Sequence, residues 1–273
     1  MQKVSVITVV FNNIDNIERT IKNVLKQTYQ NLEYIVVDGA STDGTTEVVK
    51  KYDGQIKWIS EPDKGIYDAM MKGTRMATGE WIIFHNSGDY FFTPSVIEDI
   101  MSWYEDKGED FIIANSRFFN SWGYKDNKPI ILEKSYYFGM PVHHPSTFIR
   151  RSTQLKYPFH LEYRNSADYC FFVEALRDGA TYKYFDLILS YINFGEGATA
   201  DHYDVSLSEN IDFFSRLGVD SLYIKELENN YKRFIIKNRI TRFIPFYGLY
   251  IKYMAINKGG WKRCDISKLL SNV

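Results

Sequence analysis

Three carboxylates at the ends of apolar runs are the residues of this chain that could do chemistry. Asp38 directly follows LEYIVV, and Asp89 closes the turn HNSGD after WIIF, while Asp63 lies in a polar segment after IKWIS. A carboxylate just past the carboxyl end of a buried strand lies where open α/β sheets bind their ligands. Its oxygens also suit a hard divalent cation that shares its coordination with substrate phosphates. The pattern therefore predicts a ligand site, with Asp89 as a metal-binding residue.

The usual phosphate-binding loops are absent from the sequence. No GxGxxG follows the first apolar run, and no GxxxxGK[ST] occurs anywhere in the chain. Phosphates bound here would have to be neutralised by a metal ion and by isolated basic residues. Asp89 as an ion ligand and Lys64 as a phosphate partner meet that requirement.

The elements that must position these residues alternate between strand and helix over the first 90 residues. Runs of β-branched or apolar residues of strand length alternate with segments in which apolar residues recur at helical spacing. This alternation indicates a parallel sheet with helices on its faces. The functional loops of such a sheet lie at the carboxyl ends of its strands. The predicted strands are 4–11, 32–37, 56–60 and 81–84, and the predicted helices begin near 17, 45 and 67.

The middle of the chain, from about 95 to 220, is less regular. Helices are predicted near 95–106 and 166–178, and strands at 110–119, 145–150 and 181–192. These strands predict a mixed extension of the sheet. The expected fold class is therefore α/β, with a mixed, mainly parallel sheet flanked by helices.

Composition excludes several classes of protein. Apolar residues make up 45% of the 273 residues and charged residues 25%, which argues against disorder. The two cysteines, Cys170 and Cys264, are too few for a disulfide framework or a metal knuckle, so a reducing, cytoplasmic location is expected. No signal-peptide pattern and no apolar run of membrane-spanning length is expected to anchor the chain.

The C-terminal segment is strongly basic. Residues 232–264 contain nine Lys or Arg and no Asp or Glu, and apolar residues from Ile236 to Tyr247 recur at helical spacing beside an aromatic run. A basic amphipathic helix of this kind predicts contact with an anionic membrane surface, through residues 231–263. The alternative is a helix packed back on the catalytic domain with a solvated basic face. No nucleic-acid partner is expected, because no nucleic-acid-binding motif accompanies the charge.

Four segments in a fixed order carry a resemblance to a known family. SVITVVFNN, QTYQNLEYIVVDGASTDGT, EPDKGIYDAMMKG and ATGEWIIFHNSGD resemble the ordered signature of family-2 glycosyltransferases of the GT-A fold. The resemblance is strong over the first 95 residues and weaker over the next 110, and is greatest to bacterial enzymes of exopolysaccharide, capsule or lipopolysaccharide synthesis. It implies a Rossmann-like GT-A domain at 1–220, with a nucleotide-sugar half at 1–95, an acceptor half at 96–220 and a helical extension at 221–273.

The resemblance also implies a nucleotide-sugar donor, usually a UDP-sugar, and inversion at the anomeric carbon. By position, the resemblance implies that Val9, Val10 and Asn12 line the base and ribose pocket and that Asp38 binds the uridine moiety. Ser41 and Asp43 would shape the turn beside Asp38, and Asp63, Lys64 and Tyr67 would lie along the donor. Asn86 and Gly88 would contact the donor in the fourth loop, where Asp89 would bind Mn²⁺ or Mg²⁺ against the diphosphate.

Two departures from the family pattern affect this site. Many relatives carry a second Asp after the second strand, whereas Gly39 follows Asp38 here, which implies rearranged base contacts. The metal motif retains one carboxylate, Asp89, and His85 or His202 is a candidate to supplement it.

The acceptor half should supply the general base. The segment NSADY at 165–169 resembles the acidic motif at the start of the helix beneath the acceptor, and Asp168 is the candidate base. A carboxylate in that position would also serve as a plain helix cap. His143 and His144 precede a strand and are candidates for acceptor or accessory contacts, with a structural role as the alternative.

The resulting hypothesis is a metal-dependent inverting glycosyltransferase that acts on a glycan or lipid-linked acceptor in bacterial surface-polysaccharide synthesis. A nucleotidyltransferase is one alternative, although the loop VVFNNIDN lacks the glycine-rich, basic sequence expected after its first strand. The other is a non-catalytic nucleotide-sugar or carbohydrate-binding protein with a decayed metal site.

Overall fold

A computed structural model describes residues 1–130, 140–193, 203–241 and 259–264. Within these residues, nine strands form one sheet. The strands are β1 Val4–Val10, β2 Leu32–Asp38, β3 Lys57–Ser60, β4 Trp81–Phe84, β5 Tyr90–Phe91, β6 Phe111–Asn120, β7 Gly123–Asn127, β8 Thr147–Arg150 and β9 Tyr182–Asn193. The helices are α1 Ile14–Leu25, α2 Thr45–Lys50, α3 Ile66–Met76, α4 Val96–Trp103, α5 Arg151–Lys156, α6 Ala167–Arg177, α7 Tyr203–Arg216 and α8 Ser221–Thr241.

The strand order puts a ligand crevice at the end of β1. The order is β3-β2-β1-β4-β8-β6-β9-β5, with β7 paired to β6. β1 pairs in parallel with β2 on one side and with β4 on the other, so the chain winds outward from β1 and then returns to its other side. Such a switch in winding direction leaves a crevice at the carboxyl ends of the strands.

Helices cover both faces of the sheet because the strand residues alternate. In β1, Ile7 and Val9 belong to the core formed with α3 and α6, whereas Val6 and Val10 belong to the core formed with α1. Helix α3 lies very close to β1 at Gly73, where a Cβ atom would collide with Ile7 Cγ2. This close packing fixes the position of α3, whose first turn contributes to the candidate site.

The mixed, mainly parallel sheet predicted from the sequence is confirmed. The antiparallel strand β8 lies between β4 and β6 and extends the parallel half into the irregular middle of the chain. The sequence patterns do not predict β5 and β7. β5 has only two residues, and β7 reads GYKDN without an apolar run, so pairing with β9 and β6 defines them.

The C-terminal region packs partly on the sheet and its flanking helices. Tyr223, Ile224 and Leu227 of α8 pack against the core that contains α6. Residues 259–264 lie beside β7, where Tyr124 and Lys262 exchange backbone hydrogen bonds of 2.9 and 2.7 Å. Residues 242–258, which include most of the predicted aromatic run, lie outside the described residues. Across the described part of the chain, no helix combines the length and the apolar character needed to cross a bilayer.

Candidate active site

Asp38 organises the turn after β2. Its side chain is fully buried, and its carboxylate accepts hydrogen bonds from the Ser41 amide (3.0 Å) and hydroxyl, the Thr46 hydroxyl (3.1 Å) and the Ser60 hydroxyl (2.6 Å). Three of these donors share Oδ2 and one donates to Oδ1. The geometry therefore supports a role in shaping the turn, and the uridine contact that the resemblance implies stays a prediction.

The turns after β1 and β2 are hydrogen-bonded to each other. The Asn12 amide donates to Ser41 Oγ (2.7 Å), and Asn12 Oδ1 accepts from the Thr42 amide (2.8 Å). Asp43 accepts from the amides of Ile14 and Thr45, both at 3.0 Å, and hydrogen bonds from Thr45 lower its pKa. These contacts form a pre-organised rim around the end of β1.

Backbone strain marks the same rim. Asn12 (φ 47°) and Ala40 (φ 63°) are the two non-glycine residues in the described chain with positive φ. Asparagine tolerates this conformation, whereas alanine adopts it at a cost. Strained residues of this kind cluster at functional sites, so their position agrees with the location of the crevice.

The end of β1 presents an aromatic ring that sequence reasoning missed. Val9 and Val10 are each 5% exposed and pack in the cores on the two opposite faces of the sheet. Their side chains therefore do not point to the carboxyl end of β1. The strand ends at Val10, and the next residue, Phe11, is 64% exposed. The sequence does show an apolar residue at position 11. Because Phe11 continues the apolar run VVF, the pattern predicts that it belongs to the buried strand.

The loop between β3 and α3 contributes Asp63, Lys64 and Tyr67. Asp63 Oδ1 accepts from the Gly65 amide (2.9 Å), and the exposed Lys64 donates its amide to Asp68 Oδ2 (3.0 Å). Tyr67, in the first turn of α3, is 6% exposed and its hydroxyl points to Asp168 at the start of α6. Burial, followed by the charge of Asp168, raises its pKa, so the hydroxyl remains a donor.

The loop after β4 contains the candidate metal residue. Asp89 is 7% exposed, and burial raises the pKa of its carboxyl to about 6. Gly88 has φ 105°, and a Cβ at this position would meet nothing within 4 Å. The loop has room for a second side chain at this position, but its backbone conformation favours glycine.

The donor set of this loop suits a cation that substrate phosphates largely coordinate. Among the described residues, no group of three or more His, Cys, Asp or Glu could hold a metal ion. The loop offers the Asp89 carboxylate, and Asn86 Oδ1 and Ser87 Oγ are buried with no partner in the described chain. Mg²⁺ typically takes one or two carboxylates and completes its shell with water and phosphate oxygens, so the donor types fit.

Of the two histidines expected to supplement Asp89, His85 has the environment of a core residue. His85 is fully buried and stacks on Phe91 with ring centroids 4.1 Å apart. Burial lowers the pKa of His85 to about 3. Its environment is that of a core side chain. His202 lies outside the described residues.

Asp168 lies at the centre of a hydrogen-bonded group that joins the two halves of the domain. The Tyr67 hydroxyl donates to Asp168 Oδ1 (2.8 Å), and Asp168 Oδ2 lies 3.0 Å from His144 Nδ1. Burial opposes ionisation of Asp168, but the hydrogen bonds from His144 and Tyr67 outweigh it and lower the pKa of the carboxyl. Asp168 lies in the first turn of α6, after the N-cap residue Ser166. Because its carboxylate contacts Tyr67 and His144, its side chain does more than cap the helix.

His144 links Asp168 to the loop after β4. Because an ionised carboxylate only accepts, we assign the proton to Nδ1, and Nε2 then accepts from Asn86 Nδ2 at 3.1 Å. His143 has a structural environment instead. It lies edge-on to Phe118 and 3.0 Å from Asn127 Nδ2, and burial lowers its pKa to about 4.

A separate cavity of about 460 Å³ lies at the other end of α6, lined in part by Phe159, His160, Glu174 and Arg177. The helical rise puts its end roughly 14 Å along α6 from Asp168. The cavity is therefore distinct from the site formed by the strand ends.

The chain is similar to known proteins both in sequence and in structure. The sequence model of the family described as Glycosyl transferase family 2 matches residues 5–182. An uncharacterized glycosyltransferase of Mycobacterium tuberculosis is 40% identical over 107 residues, which cover 38% of this chain and 41% of the relative. A PGL/p-HBAD biosynthesis glycosyltransferase of Mycobacterium bovis is 24% identical over 204 residues, or 72% of this chain and 79% of the relative.

Two solved structures share the fold. S. aureus TarS in complex with UDP-GlcNAc superposes with a TM-score of 0.63 at 17% identity, covering 94% of this chain and 76% of that one. The mannosyltransferase PcManGT of Pyrobaculum calidifontis, in complex with GDP-Man and Mn²⁺, gives a TM-score of 0.65 at 15% identity, covering 94% and 81%.

Proposed function

Because the chain belongs to glycosyl transferase family 2, we propose that it transfers a sugar from a UDP-sugar to a hydroxyl group with inversion at the anomeric carbon. The acceptor is a glycan or a lipid-linked glycan of bacterial surface-polysaccharide synthesis. One observation carries the proposal: Asp168 is joined through His144 to Asn86, in the loop that ends the donor half. A candidate base thus lies beside the crevice in which open α/β sheets bind ligands.

The proposed reaction is a single displacement. The acceptor oxygen attacks the anomeric carbon, the bond from that carbon to the diphosphate oxygen breaks, and the nucleoside diphosphate leaves. Asp168 takes the proton of the acceptor hydroxyl. Its lowered pKa keeps the carboxylate ionised at neutral pH, as a base requires. Tyr67 and His144 restrict its orientation, so that one defined carboxylate position meets the acceptor.

We propose that Asp89 holds Mn²⁺ or Mg²⁺ together with the donor diphosphate, with Asn86 Oδ1 and Ser87 Oγ as further oxygen donors in the same loop. When bound, the cation would offset the negative charge that develops on the leaving diphosphate. Support comes from the chemistry of the oxygens present and from the Mn²⁺ in the complex of PcManGT.

We also propose that the protein works in the cytoplasm at the inner face of the membrane, where a lipid-linked acceptor would be presented. Lys232, Arg233 and Ile236 of α8 are exposed, and Ile236 is 57% exposed. Cationic residues beside an apolar side chain suit an anionic lipid surface.

A non-catalytic binding protein remains the second candidate, favoured by one observation. Gly88 stands where a second carboxylate could strengthen cation binding, and its conformation disfavours other residues. A protein of this kind would bind the nucleotide sugar without turnover.

The test combines binding and turnover. Calorimetric titration of the full chain with UDP, with and without Mn²⁺, should show binding that the metal strengthens, and a panel of UDP- and GDP-sugars should then identify the donor. Asp168→Asn should keep donor affinity but lower transfer by roughly 10²- to 10⁴-fold.

Asp178→Asn, at the exposed C-terminal end of α6, is the matched control and should retain activity. Donor binding without transfer or hydrolysis in the wild-type protein would favour the non-catalytic candidate. Full activity of Asp168→Asn would exclude Asp168 as the base.

A further inference from the structure

The side chain of Asp63 fills the space beside Gly39. A Cβ atom built on Gly39 would lie 2.5 Å from Asp63 Oδ2, so the carboxylate from the β3–α3 loop occupies the volume that any larger residue at position 39 would need. The other oxygen, Oδ1, accepts from the Gly65 amide at 2.9 Å, which orients the group. Oδ2 accepts no hydrogen bond from the residues that the structure describes.

The ring of Phe11 borders the same space. The same Cβ would lie 3.2 Å from Phe11 Cδ2, and this ring is 64% exposed at the end of β1. An exposed aromatic face stacks well on a planar base, and stacking alone tolerates any base. The carboxylate beside it adds an acceptor at the edge of whatever the ring stacks on.

Asp38 is less suited to supply that acceptor. It precedes Gly39 in the chain, but three donors converge on its Oδ2, the Ser41 hydroxyl donates to its Oδ1, and its side chain is fully buried. A base contact from Asp38 would require uncovering this buried carboxylate, whereas Asp63 Oδ2 accepts no hydrogen bond from the described residues.

We propose that Asp63 recognises the donor base. Its Oδ2 accepts a hydrogen bond from N3–H of uracil or N1–H of guanine, while Phe11 stacks on the ring. The inference rests on the proposed function and specifies which bases the same site accepts. Uracil and guanine both carry a proton on the ring nitrogen of their Watson–Crick edge, whereas cytosine carries a lone pair there. A carboxylate facing that lone pair would be left without its hydrogen bond, which disfavours cytosine.

The first test uses the wild-type chain and needs no variant. Titration calorimetry with UDP, GDP and CDP in the presence of Mn²⁺ should give UDP or GDP an affinity roughly 10- to 100-fold above that of CDP. UDP methylated at N3 should bind as weakly as CDP, because it lacks the imide proton. The order of UDP and GDP then decides which of the two bases the site takes.

The second test moves the carboxylate. Asp63→Ala should bring the affinities for UDP and CDP within about threefold of each other, whereas Glu61→Ala, an exposed carboxylate of the same loop, should leave the ratio unchanged. The double variant Gly39→Asp/Asp63→Ala should restore a preference for UDP, since position 39 does not have positive φ and the removed side chain frees its space.

The outcomes separate the two hypotheses. If no nucleotide binds to the folded wild-type chain, the proposed function fails and this inference fails with it. If the wild-type chain prefers UDP or GDP over CDP but Asp63→Ala keeps that preference, or if N3-methyl-UDP binds like UDP, the role of Asp63 is refuted while the transferase proposal stands.

Discussion

The pKa values of two nearly buried carboxylates of the candidate site are shifted in opposite directions. Burial raises the pKa of Asp89 to about 6, whereas hydrogen bonds from His144 and Tyr67 outweigh burial and lower that of Asp168. Pairs of titratable groups whose pKa values are shifted apart in this way often take different roles in a site. Here the ionised Asp168 suits proton acceptance, and the cation that we propose at Asp89 would compensate the burial of its charge.

Asp89→Asn is expected to stabilise the metal-free protein. The folded pKa of about 6 exceeds the ordinary value of 3.8, so the folded state loses stability as pH rises between these values. The amide avoids this loss, and the free energy of unfolding should rise by up to about 3 kcal/mol near pH 7 and change little near pH 4. Denaturant unfolding in chelator at both pH values measures this, and an Asn variant less stable near pH 7 would contradict it.

His144→Phe is expected to move the acidic limb of the pH–rate profile. The imidazole lowers the pKa of Asp168 through a direct hydrogen bond, so its removal should raise that pKa and shift the limb of kcat/KM to higher pH. A purely structural role would lower activity without that shift. His160→Gln, in the Glu174 pair towards the other end of α6, serves as control and should reproduce the wild-type profile.

At the scale of elements, the two ends of the sheet have different tasks. The carboxyl ends of β1, β2 and β4 carry the site, whereas the amino ends are joined by the buried carboxylate of Glu33 on β2. Glu33 accepts from Lys57 (2.6 Å), from Ser5 (2.5 Å) and from the Thr78 amide (2.8 Å). Burial opposes its ionisation, but these hydrogen bonds outweigh it and lower its pKa to about 2.

Glu33→Gln is expected to destabilise the fold without changing the site. A folded pKa below the ordinary value of 4.5 stabilises the protein above that pH, and the contribution is lost as pH falls towards 2. Because Lys57 is half-exposed and screened, we expect a loss of about 1–3 kcal/mol near pH 7. Unfolding curves near pH 7 and pH 3 should show the difference shrinking, with the exposed Glu47→Gln as control. A constant difference would refute the electrostatic explanation.

At the scale of the whole molecule, the C-terminal region has two attachments that complicate its removal. α8 packs on the core through Tyr223, Ile224 and Leu227, and Lys262 pairs with Tyr124 of β7. Deleting residues 231–273 would therefore expose the edge of β7 as well as remove the basic charge. Charge reversal separates the two effects, since Lys232 and Arg233 are exposed.

Lys232→Glu/Arg233→Glu is expected to weaken binding to vesicles that contain phosphatidylglycerol. Each basic residue near an anionic surface contributes about 1 kcal/mol, so losing two should weaken binding by roughly 30-fold, and repulsion of the two new carboxylates should weaken it further. Co-sedimentation with anionic and neutral vesicles measures the effect. Lys50→Glu/Lys51→Glu, an exposed pair on the donor half, should bind as the wild type does. Equal binding of all three proteins would remove the membrane proposal for α8.

The sequence by itself determined the alternation of strands and helices, the four polar loops and the family. These features depend on short-range patterns, namely the period of apolar residues and the residues that end each run. The GT-A fold expected from the resemblance is confirmed by the solved structures that share it. Asp168 and Asp89 were also identified in this way, because each belongs to a local motif, and their roles stay predictions.

Only the tertiary structure decided which of the loop residues are available for chemistry. In the sequence, Asp38 and Asp63 both follow predicted strands. In the structure, Ser60, 22 positions away, donates to Asp38, whereas Asp63 Oδ2 accepts no hydrogen bond from the described residues and lies beside Gly39. His144 meets Asn86 across 58 positions and Asp168 across 24. Hydrogen bonds over such separations depend on how strands are ordered and how closely helices pack, and no local period of the sequence encodes either.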